Sequence, residues 1–419
     1  MRFAPRAFAA FLAAFFLAAP LLTLVMGTPA EAGPPRRHRR RHRTRRHGTP
    51  AALPPRFVLV NTPITVRLRD PLHDLSDGAY RVAKKLHLEP GAYVASTCML
   101  SEAEAARNRD LYLLRATQAV EGGFDSVNVY DRGILSWGIM QWASHSNSLQ
   151  DALWYVKGRL QSRRQSDAWA ALFKANGLDV QRGPNGEAAF FVGSNATGQW
   201  RPVVGIDELR VLFRGTRTVG KYDPATVMRW SRVFARAGRQ PVVQALQAGW
   251  ATRRLSDCLD ESVDGGKWRV RDFGAGDLFS DALYFALWTN NPAACREHFR
   301  RAIRQARLVT GANDPAMWPP GLFPFLWEQT AAASGFGTWP QRTASVGRSV
   351  PVGQIGRARA RVELASRGWQ VDKLRQGVAV GRTWRRAQAP VSLAPCGVVG
   401  LKSGGALGAA LDSVTDGNG

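Results

Sequence analysis

The chain has 419 residues, of which 57 are Lys or Arg and 32 are Asp or Glu, giving a formal charge of +25. Apolar residues make up 45% and charged residues 21%, a globular composition that excludes wholesale disorder and a fibrous repeat. Four cysteines are too few for a disulfide-stapled small domain, and no C-x-x-C spacing indicates a zinc ribbon.

The N-terminal segment has the three parts of a secretory signal peptide. Arg2 and Arg6 supply a positive start, residues 7–25 are almost wholly apolar, and Ala30-Glu31-Ala32 forms an A-x-A cleavage pattern. We therefore predict a signal peptide over residues 1–32 and export of the mature chain to the periplasm, the cell envelope or the outside. The alternative is an uncleaved anchor, because the apolar run is nearly long enough to span a bilayer.

The four cysteines leave two alternatives open. Export would place them in an oxidising compartment, where they could form up to two disulfides in any of three pairings. They could equally remain buried or free thiols. The residues concerned are Cys98, Cys258, Cys295 and Cys396.

An arginine tract follows the signal segment. Residues 36–47 read RRHRRRHRTRRH; such a block repels itself, and prolines flank it, so we predict a disordered linker over residues 33–55. The signal segment contributes one net positive charge and the tract eight, so the remainder still carries +16. We expect the tract to meet anionic envelope polymers or a membrane surface. Nucleic acid is the rival partner, but no zinc-finger or RNP motif predicts specific recognition, and a solvated charged tail is the simplest interpretation.

Helical periodicity dominates the chain beyond residue 100. A capping box at Ser101 and Glu104 begins a helix that runs to Glu121 and ends at Gly122-Gly123. Further helical patterns cover residues 149–176, 224–262, 278–308 and 355–376, with a break at Asn290-Asn291-Pro292. Residues 56–69 are β-prone, and Asp131-Arg132-Gly133 is a turn signal between two β-prone runs. We therefore predict a mainly α fold with a small β-hairpin sheet.

Three stretches carry weaker signals. Residues 183–205 are rich in Gly and Asn and are predicted to be a loop-like insertion, and residues 331–353 and 397–419 are rich in small residues. The predicted organisation is one folded domain over residues 56–330, followed by a C-terminal extension over residues 331–419.

One carboxyl residue, Glu121, precedes the predicted hairpin, and a second, Asp131, lies at its turn. Glu121 ends a helix, where the dipole disfavours a negative charge, and burial among Phe124, Trp137 and Trp142 would favour its protonated form further. A protonated carboxyl is what a general acid requires, and glycoside cleavage commonly adds a second carboxylate. Asp131 could face Glu121 across a cleft, with Ser136 positioning a water. The competing interpretation is a solvated helix end and an Asx turn.

Aromatic and glycine residues follow on the second strand. If the strand alternates, Trp137 and Gln141 point one way and Gly138 and Trp142 the other. Tryptophan faces stack on sugar rings, so Trp137 and Trp142 are candidate substrate-binding residues. Gly138 would admit the close approach of a substrate or a backbone. Core packing is the alternative for these tryptophans and is favoured for Trp154.

Residues 121–142 resemble the active-site segment of the lysozyme-like superfamily through the string EGG…YDRGILSWGIMQW. In phage-type lysozymes, a Glu that closes the first helix is followed by a hairpin carrying an Asp and then a Thr before a G-I-G strand. Glu121, Asp131 and Ser136 match these positions, with Ser in place of Thr. Gly138-Ile139-Met140-Gln141 is similar to the G-hydrophobic-hydrophobic-Q string of goose-type lysozymes and soluble lytic transglycosylases.

The resemblance implies an α+β, lysozyme-like fold and an exported enzyme that cleaves the glycan strands of peptidoglycan. Glu121 would be the general acid, Asp131 the second carboxylate, and Ser136 and Gln141 would position water or an N-acetyl group. Both a muramidase and a lytic transglycosylase fit, and a transglycosylase would manage without Asp131. No metal or organic cofactor is implied, and the oligomeric state is not indicated. The alternative is a catalytically inactive lysozyme-like protein that binds the cell wall or serves as a scaffold.

Overall fold

The computed structural model describes residues 57–69, 91–194, 196–274, 277–336, 338–350, 354 and 357–361. The predicted signal segment, the arginine tract, Cys396 and most of the helix predicted over residues 355–376 lie outside the described residues. Within the described part, the fold is mainly helical with small antiparallel sheets, which confirms the predicted fold class.

A five-stranded antiparallel sheet contains the predicted hairpin, and its strands lie side by side in chain order. Asn128 pairs with Ser136, which closes the hairpin around the turn at residues 131–133 and confirms the hairpin prediction. The predicted alternation ends at Trp137, because a second turn over residues 138–141 separates the last two strands. The strands are β1 Arg67–Arg69, β2 Gly91–Val94, β3 Val127–Asn128, β4 Ser136–Trp137 and β5 Trp142–Ala143.

A second sheet occupies the region predicted to be a loop-like insertion. Strands β6 (Leu178–Arg182), β7 (Ala188–Gly193) and β8 (Trp200–Pro202) pair antiparallel in that order. The loop prediction over residues 183–205 is therefore wrong for β7 and β8. Asn185 and Gly186 lie in the turn between β6 and β7, whereas Phe190 of β7 is buried in the core. The short strands β9 (Ser262–Val263) and β10 (Trp268–Arg269) form a further pair.

Twelve helices carry most of the described chain. The helix predicted from Ser101 to Glu121 is two helices, because Asn108 adopts an extended backbone and caps the second one through Asp110 N–H. The capping box of Ser101 and Glu104 is present as predicted. The helices are α1 Glu102–Arg107, α2 Arg109–Glu121, α3 Ser148–Ser162, α4 Ser166–Leu172, α5 Gly205–Arg214, α6 Pro224–Gly238, α7 Pro241–Leu259, α8 Val270–Phe273, α9 Leu278–Asn290, α10 Pro292–Thr310, α11 Leu322–Ala332 and α12 Trp339–Ser349.

Proline and capping residues explain several helix starts. Asp223 caps α6, whose first residue is Pro224, and Asn291 caps α10, whose first residue is Pro292. Proline suits the first helical position because its missing N–H would have no partner there. The predicted break at residues 290–292 is confirmed.

The C-terminal extension begins inside the folded domain. Helix α11 runs past the boundary predicted at residue 330, and α12 packs against both α2 and α9. The Trp339 side chain is fully buried, and its Nε1–H donates to Asn290 Oδ1 at 3.0 Å. Residues 331–353 therefore contain a helix that their composition did not predict, because α12 is stabilised by contacts with helices that are distant in sequence.

The described helices are not membrane spans: none of them joins the length and the apolar character needed to cross a bilayer.

Candidate active site

Helix α2 presents Glu121 at its last position. Gly122 follows with a φ of 136°, and its N–H donates to the Gln118 carbonyl. A Cβ atom on Gly122 would lie 2.5 Å from Ser126 Oγ, so both the backbone angle and the space require glycine here. The predicted helix stop is confirmed, and it turns the chain directly from Glu121 into the hairpin.

The hairpin turn fixes Asp131 through its own backbone. The Oδ1 atom accepts a hydrogen bond from Gly133 N–H at 2.9 Å and lies 3.4 Å from Ser136 Oγ, which donates to it. Asp131 is thus an Asx-turn residue and also the acceptor for the predicted serine. From the far side of the turn, Arg214 Nη2 donates to the Asp131 carbonyl at 2.6 Å. Arg214 is buried, and this burial lowers the pKa of its guanidinium to about 10.

The Asp131 carboxyl titrates near neutral pH. Burial raises its pKa to about 6, although the hydrogen bonds from Gly133 and Ser136 act in the opposite direction. The negative charge of Glu121 raises the pKa of Asp131 further, so the two carboxyls interact through space. Glu121 thus lies at the end of α2 and Asp131 in the hairpin turn that follows it, within electrostatic range of each other.

Glu121 forms an ion pair that the sequence did not predict. Arg342 Nη1 of α12 contacts Glu121 Oε1. Only 14% of the arginine side chain and 7% of the glutamate side chain are exposed. The sequence predicted aromatic side chains around Glu121, whereas the structure places a guanidinium against its carboxyl. No local pattern could have revealed this partner, because 221 residues separate Arg342 from Glu121.

Gln141 and Gly138 are occupied by contacts within the protein. The Gln141 side chain accepts from Asn128 Nδ2 at 2.6 Å and donates to the Gly138 carbonyl at 3.0 Å. Gly138 has a φ of 81°, and a Cβ atom there would lie 2.3 Å from Gln247 Oε1. The close approach predicted at Gly138 is thus made by a glutamine side chain rather than by a substrate or a backbone. In this arrangement Gln141 braces the turn over residues 138–141.

Trp137 and Trp142 are core residues in this structure. Trp137 is fully buried, and its ring centroid lies 5.6 Å from that of Phe234 and 6.4 Å from that of Trp142. Only 6% of Trp142 is exposed. Neither ring offers a free face to a sugar, so the predicted stacking role is corrected to core packing, the alternative considered for both residues.

Asp125 anchors the base of the hairpin and was missed at the sequence level. Its buried carboxylate accepts from Thr97 Oγ1 at 2.6 Å and from Cys98 N–H at 3.1 Å, and it pairs with Arg239 Nε at 2.9 Å. The Arg239 guanidinium also contacts the carbonyl oxygen of Pro63. A buried carboxylate with this many donors holds three separate segments of chain around the hairpin.

Cys258 and Cys295 are free thiols in the described chain, and both are buried, as is Cys98. Of the two alternatives, the thiol form therefore applies to Cys258 and Cys295. Burial raises the pKa of Cys258 and of Cys295 well above the usual range, so both thiols stay protonated. Among the described residues, no group of three or more His, Cys, Asp or Glu side chains is arranged to hold a metal ion.

Comparison of the chain with protein-family models, curated proteins and solved structures found no match. The resemblance to the lysozyme-like superfamily accordingly rests on residues 121–142.

Proposed function

We propose that the protein is an exported enzyme that cleaves the glycan strands of peptidoglycan, with Glu121 and Asp131 as its two carboxyls. The observation that supports the proposal is the placement of Glu121 at the end of α2, directly before the hairpin, and of Asp131 in the hairpin turn, where Ser136 donates to it. Glycoside cleavage uses two carboxyls whose environments separate their protonation behaviour. Here one carboxyl contacts a guanidinium, and the other is desolvated.

The ion pair with Arg342 defines a resting arrangement of this site. A general acid donates a proton from its carboxyl to the leaving oxygen, and Arg342 occupies an oxygen of the Glu121 carboxyl. For Glu121 to act as the acid, Arg342 has to withdraw from it when the glycan binds. Ser136, which donates to Asp131, is placed to orient a water or to tune that carboxyl.

The first experiment compares variants on purified peptidoglycan. Glu121→Gln should abolish the release of soluble fragments, whereas Glu102→Gln, the same change on an exposed glutamate of α1, should leave it unchanged. Mass spectrometry of the products separates the two reactions. Anhydro-ended fragments identify a transglycosylase, and reducing-ended fragments identify a hydrolase in which Asp131→Asn should also fail.

The variant Arg342→Gln tests the role of the ion pair. If Glu121 is the acid, removing the guanidinium should increase fragment release at neutral pH. If release is instead lost in a folded variant, Glu121 acts as a carboxylate held by Arg342, and Asp131, with its pKa of about 6, becomes the acid.

A second function is favoured by the ion pair itself and by the burial of both hairpin tryptophans. In it, the protein binds the cell wall or serves as a scaffold without cleaving glycan. Wild-type protein that sediments with wall sacculi but releases no fragments would establish this function, and Glu121→Gln should then sediment equally well.

A further inference from the structure

A groove between α3 and α7 lies outside the hairpin site. Its volume is about 510 Å³, within the range of small-molecule and oligomer sites. Residues of α3 form one wall, α7 forms the other, and Arg182 at the end of β6 closes one side. Neither Glu121 nor any hairpin residue lines it.

Three partly exposed aromatic rings line this groove. Trp154 and Tyr155 lie side by side on α3, and Trp250 faces them from α7. The Tyr155 and Trp250 ring centroids are 5.1 Å apart, with 32° between the ring planes. Unlike Trp137, these rings combine partial exposure with a concave setting, and Trp154 packs against the core, as expected from the sequence, while it also lines the groove.

An arginine guanidinium lies near the face of each of these rings. The Cζ atom of Arg182 lies 5.1 Å from the Trp154 centroid, that of Arg159 lies 5.3 Å from Tyr155, and that of Arg253 lies 6.0 Å from Trp250. Within the described chain, none of these three arginines has a carboxylate in ion-pair contact. The three guanidinium groups are therefore held at the rings, with Asp151 as the carboxylate that interacts with Arg182 through space, and the groove keeps an excess of positive charge that suits an incoming anion.

Gly158 keeps the middle of the groove open. It lies inside α3, where glycine weakens a helix relative to alanine. Its φ is not positive, and a Cβ atom there would meet no atom within 4 Å. Neither backbone conformation nor crowding in the described structure requires glycine at this position, and its effect is to leave space between the aromatic rings.

We propose that this groove binds an anionic glycan, with sugar rings against the aromatic side chains and carboxylate groups on the arginines. Asp151 and Ser162 also line the groove and provide acceptors for sugar hydroxyls. Every ring of a glycan carries hydroxyls for these acceptors, whereas a thymidylate chain has none along its length, so a glycan fits better than single-stranded nucleic acid. This binding is independent of cleavage at Glu121.

Calorimetric titration of the full-length protein with oligogalacturonate, an acidic glycan, tests the proposal. Neutral dextran oligomers of similar length and oligothymidylate are the comparison ligands. We expect oligogalacturonate to bind at least tenfold more tightly than dextran. Gly158→Leu, which fills the groove with a good helix former, should weaken this binding at least tenfold while the protein stays folded.

A matched pair of double variants separates the groove from the overall charge. Arg159→Gln/Arg253→Gln removes two groove arginines, and Arg300→Gln/Arg304→Gln removes two exposed arginines of α10. The first should lose binding and the second should retain it. Equal losses in both, no effect of Gly158→Leu, or tighter binding of oligothymidylate would each overturn the proposal. Glu121→Gln should bind like wild type, so a failed cleavage assay leaves this test unaffected.

Discussion

The hairpin site and the aromatic groove use their polar groups in opposite ways. Around the hairpin, side chains are committed to partners inside the protein: Gln141 to Asn128, Asp131 to Gly133, and Glu121 to Arg342. In the groove, three arginines rest on aromatic rings without a carboxylate in contact, as far as the described residues show. The first region is built to hold a fixed geometry, and the second has charge available for a ligand.

This contrast bears on how each region would act. If Glu121 and Asp131 act as proposed, a pre-arranged pair of carboxyls would cost little reorganisation at the moment of reaction, once Arg342 has moved away from Glu121. The proposed glycan would enter the groove without displacing a described carboxylate from ion-pair contact with Arg159, Arg182 or Arg253. Substitutions at the hairpin should therefore change stability, whereas substitutions in the groove should change binding and leave stability nearly untouched.

The largest stability effect is expected at the anchor of the hairpin. Asp125→Ala leaves Arg239 and several backbone and side-chain donors buried without their acceptor, and should lower the free energy of unfolding by about 3–5 kcal/mol. Urea denaturation measures this loss. Asp257→Ala, which removes an exposed carboxylate paired with Arg254, is the control and should change the stability by less than about 0.5 kcal/mol. Similar losses in both variants would contradict the anchoring role.

The next effect depends on pH. Because burial raises the pKa of Asp131 to about 6 from 3.8, the folded protein favours the protonated carboxyl. This contribution to stability is fully present below pH 4 and is lost as the pH rises through about 6. Asp131→Asn has no carboxyl to ionise and lacks this loss. The difference in free energy of unfolding between the variant and wild type should therefore shift by about 3 kcal/mol in favour of the variant from pH 4 to pH 8.

Urea unfolding of both proteins at several pH values measures this difference. Asp281 is another buried carboxyl whose pKa is raised to about 6. Its contribution to the pH dependence cancels in the difference between the two proteins, because both contain it. A stability difference that stays constant with pH would show that Asp131 is not desolvated in the folded protein.

A smaller loss is expected at the second turn. Gly138→Ala places a side chain at a φ of 81° and a Cβ atom 2.3 Å from Gln247 Oε1, which accepts from Ile139 N–H. We expect a loss of about 1–3 kcal/mol in thermal or urea unfolding. Gly186→Ala, at a φ of 80° with no atom within 4 Å of the Cβ position, is the control for backbone strain alone. If both variants lose the same stability, the contact with Gln247 contributes nothing.

The smallest effect has the opposite sign and belongs to the groove. Gly158→Ala should raise the free energy of unfolding by about 0.5–1 kcal/mol, because alanine favours the helix and its methyl group meets nothing. Thermal unfolding detects this gain. A loss of stability would show that the glycine serves the fold rather than the opening of the groove.

The sequence predicted the parts of the molecule that depend on local interactions. The capping box at Ser101, the stop at Gly122 and the turn after Asp131 each follow from residues a few positions apart. Asn108 divides the predicted helix because its side chain caps a new one, and this signal is present in the sequence but competes with strong helical periodicity.

What the sequence did not predict depends on distant partners. Strand β7 lies among Gly and Asn residues and is stabilised by its pairing with β6 and the burial of Phe190. Arg342, Arg239 and Gln247 reach the hairpin from over 100 positions away, and nothing local marks them. The tryptophans show the same limit, since only the tertiary fold separates the buried Trp137 from Trp154 in the groove.

The packing of α12 on α2 also bears on when during synthesis the native contacts can form. The contact between Glu121 and Arg342 closes a loop of 221 residues, and contacts of such long sequence separation form slowly. Helix α2 and the hairpin are synthesised early, but α12, which packs against α2, is synthesised more than 200 residues later. Until then the hairpin region lacks this packing, so the protein reaches its native state only after nearly all of the described chain has been made.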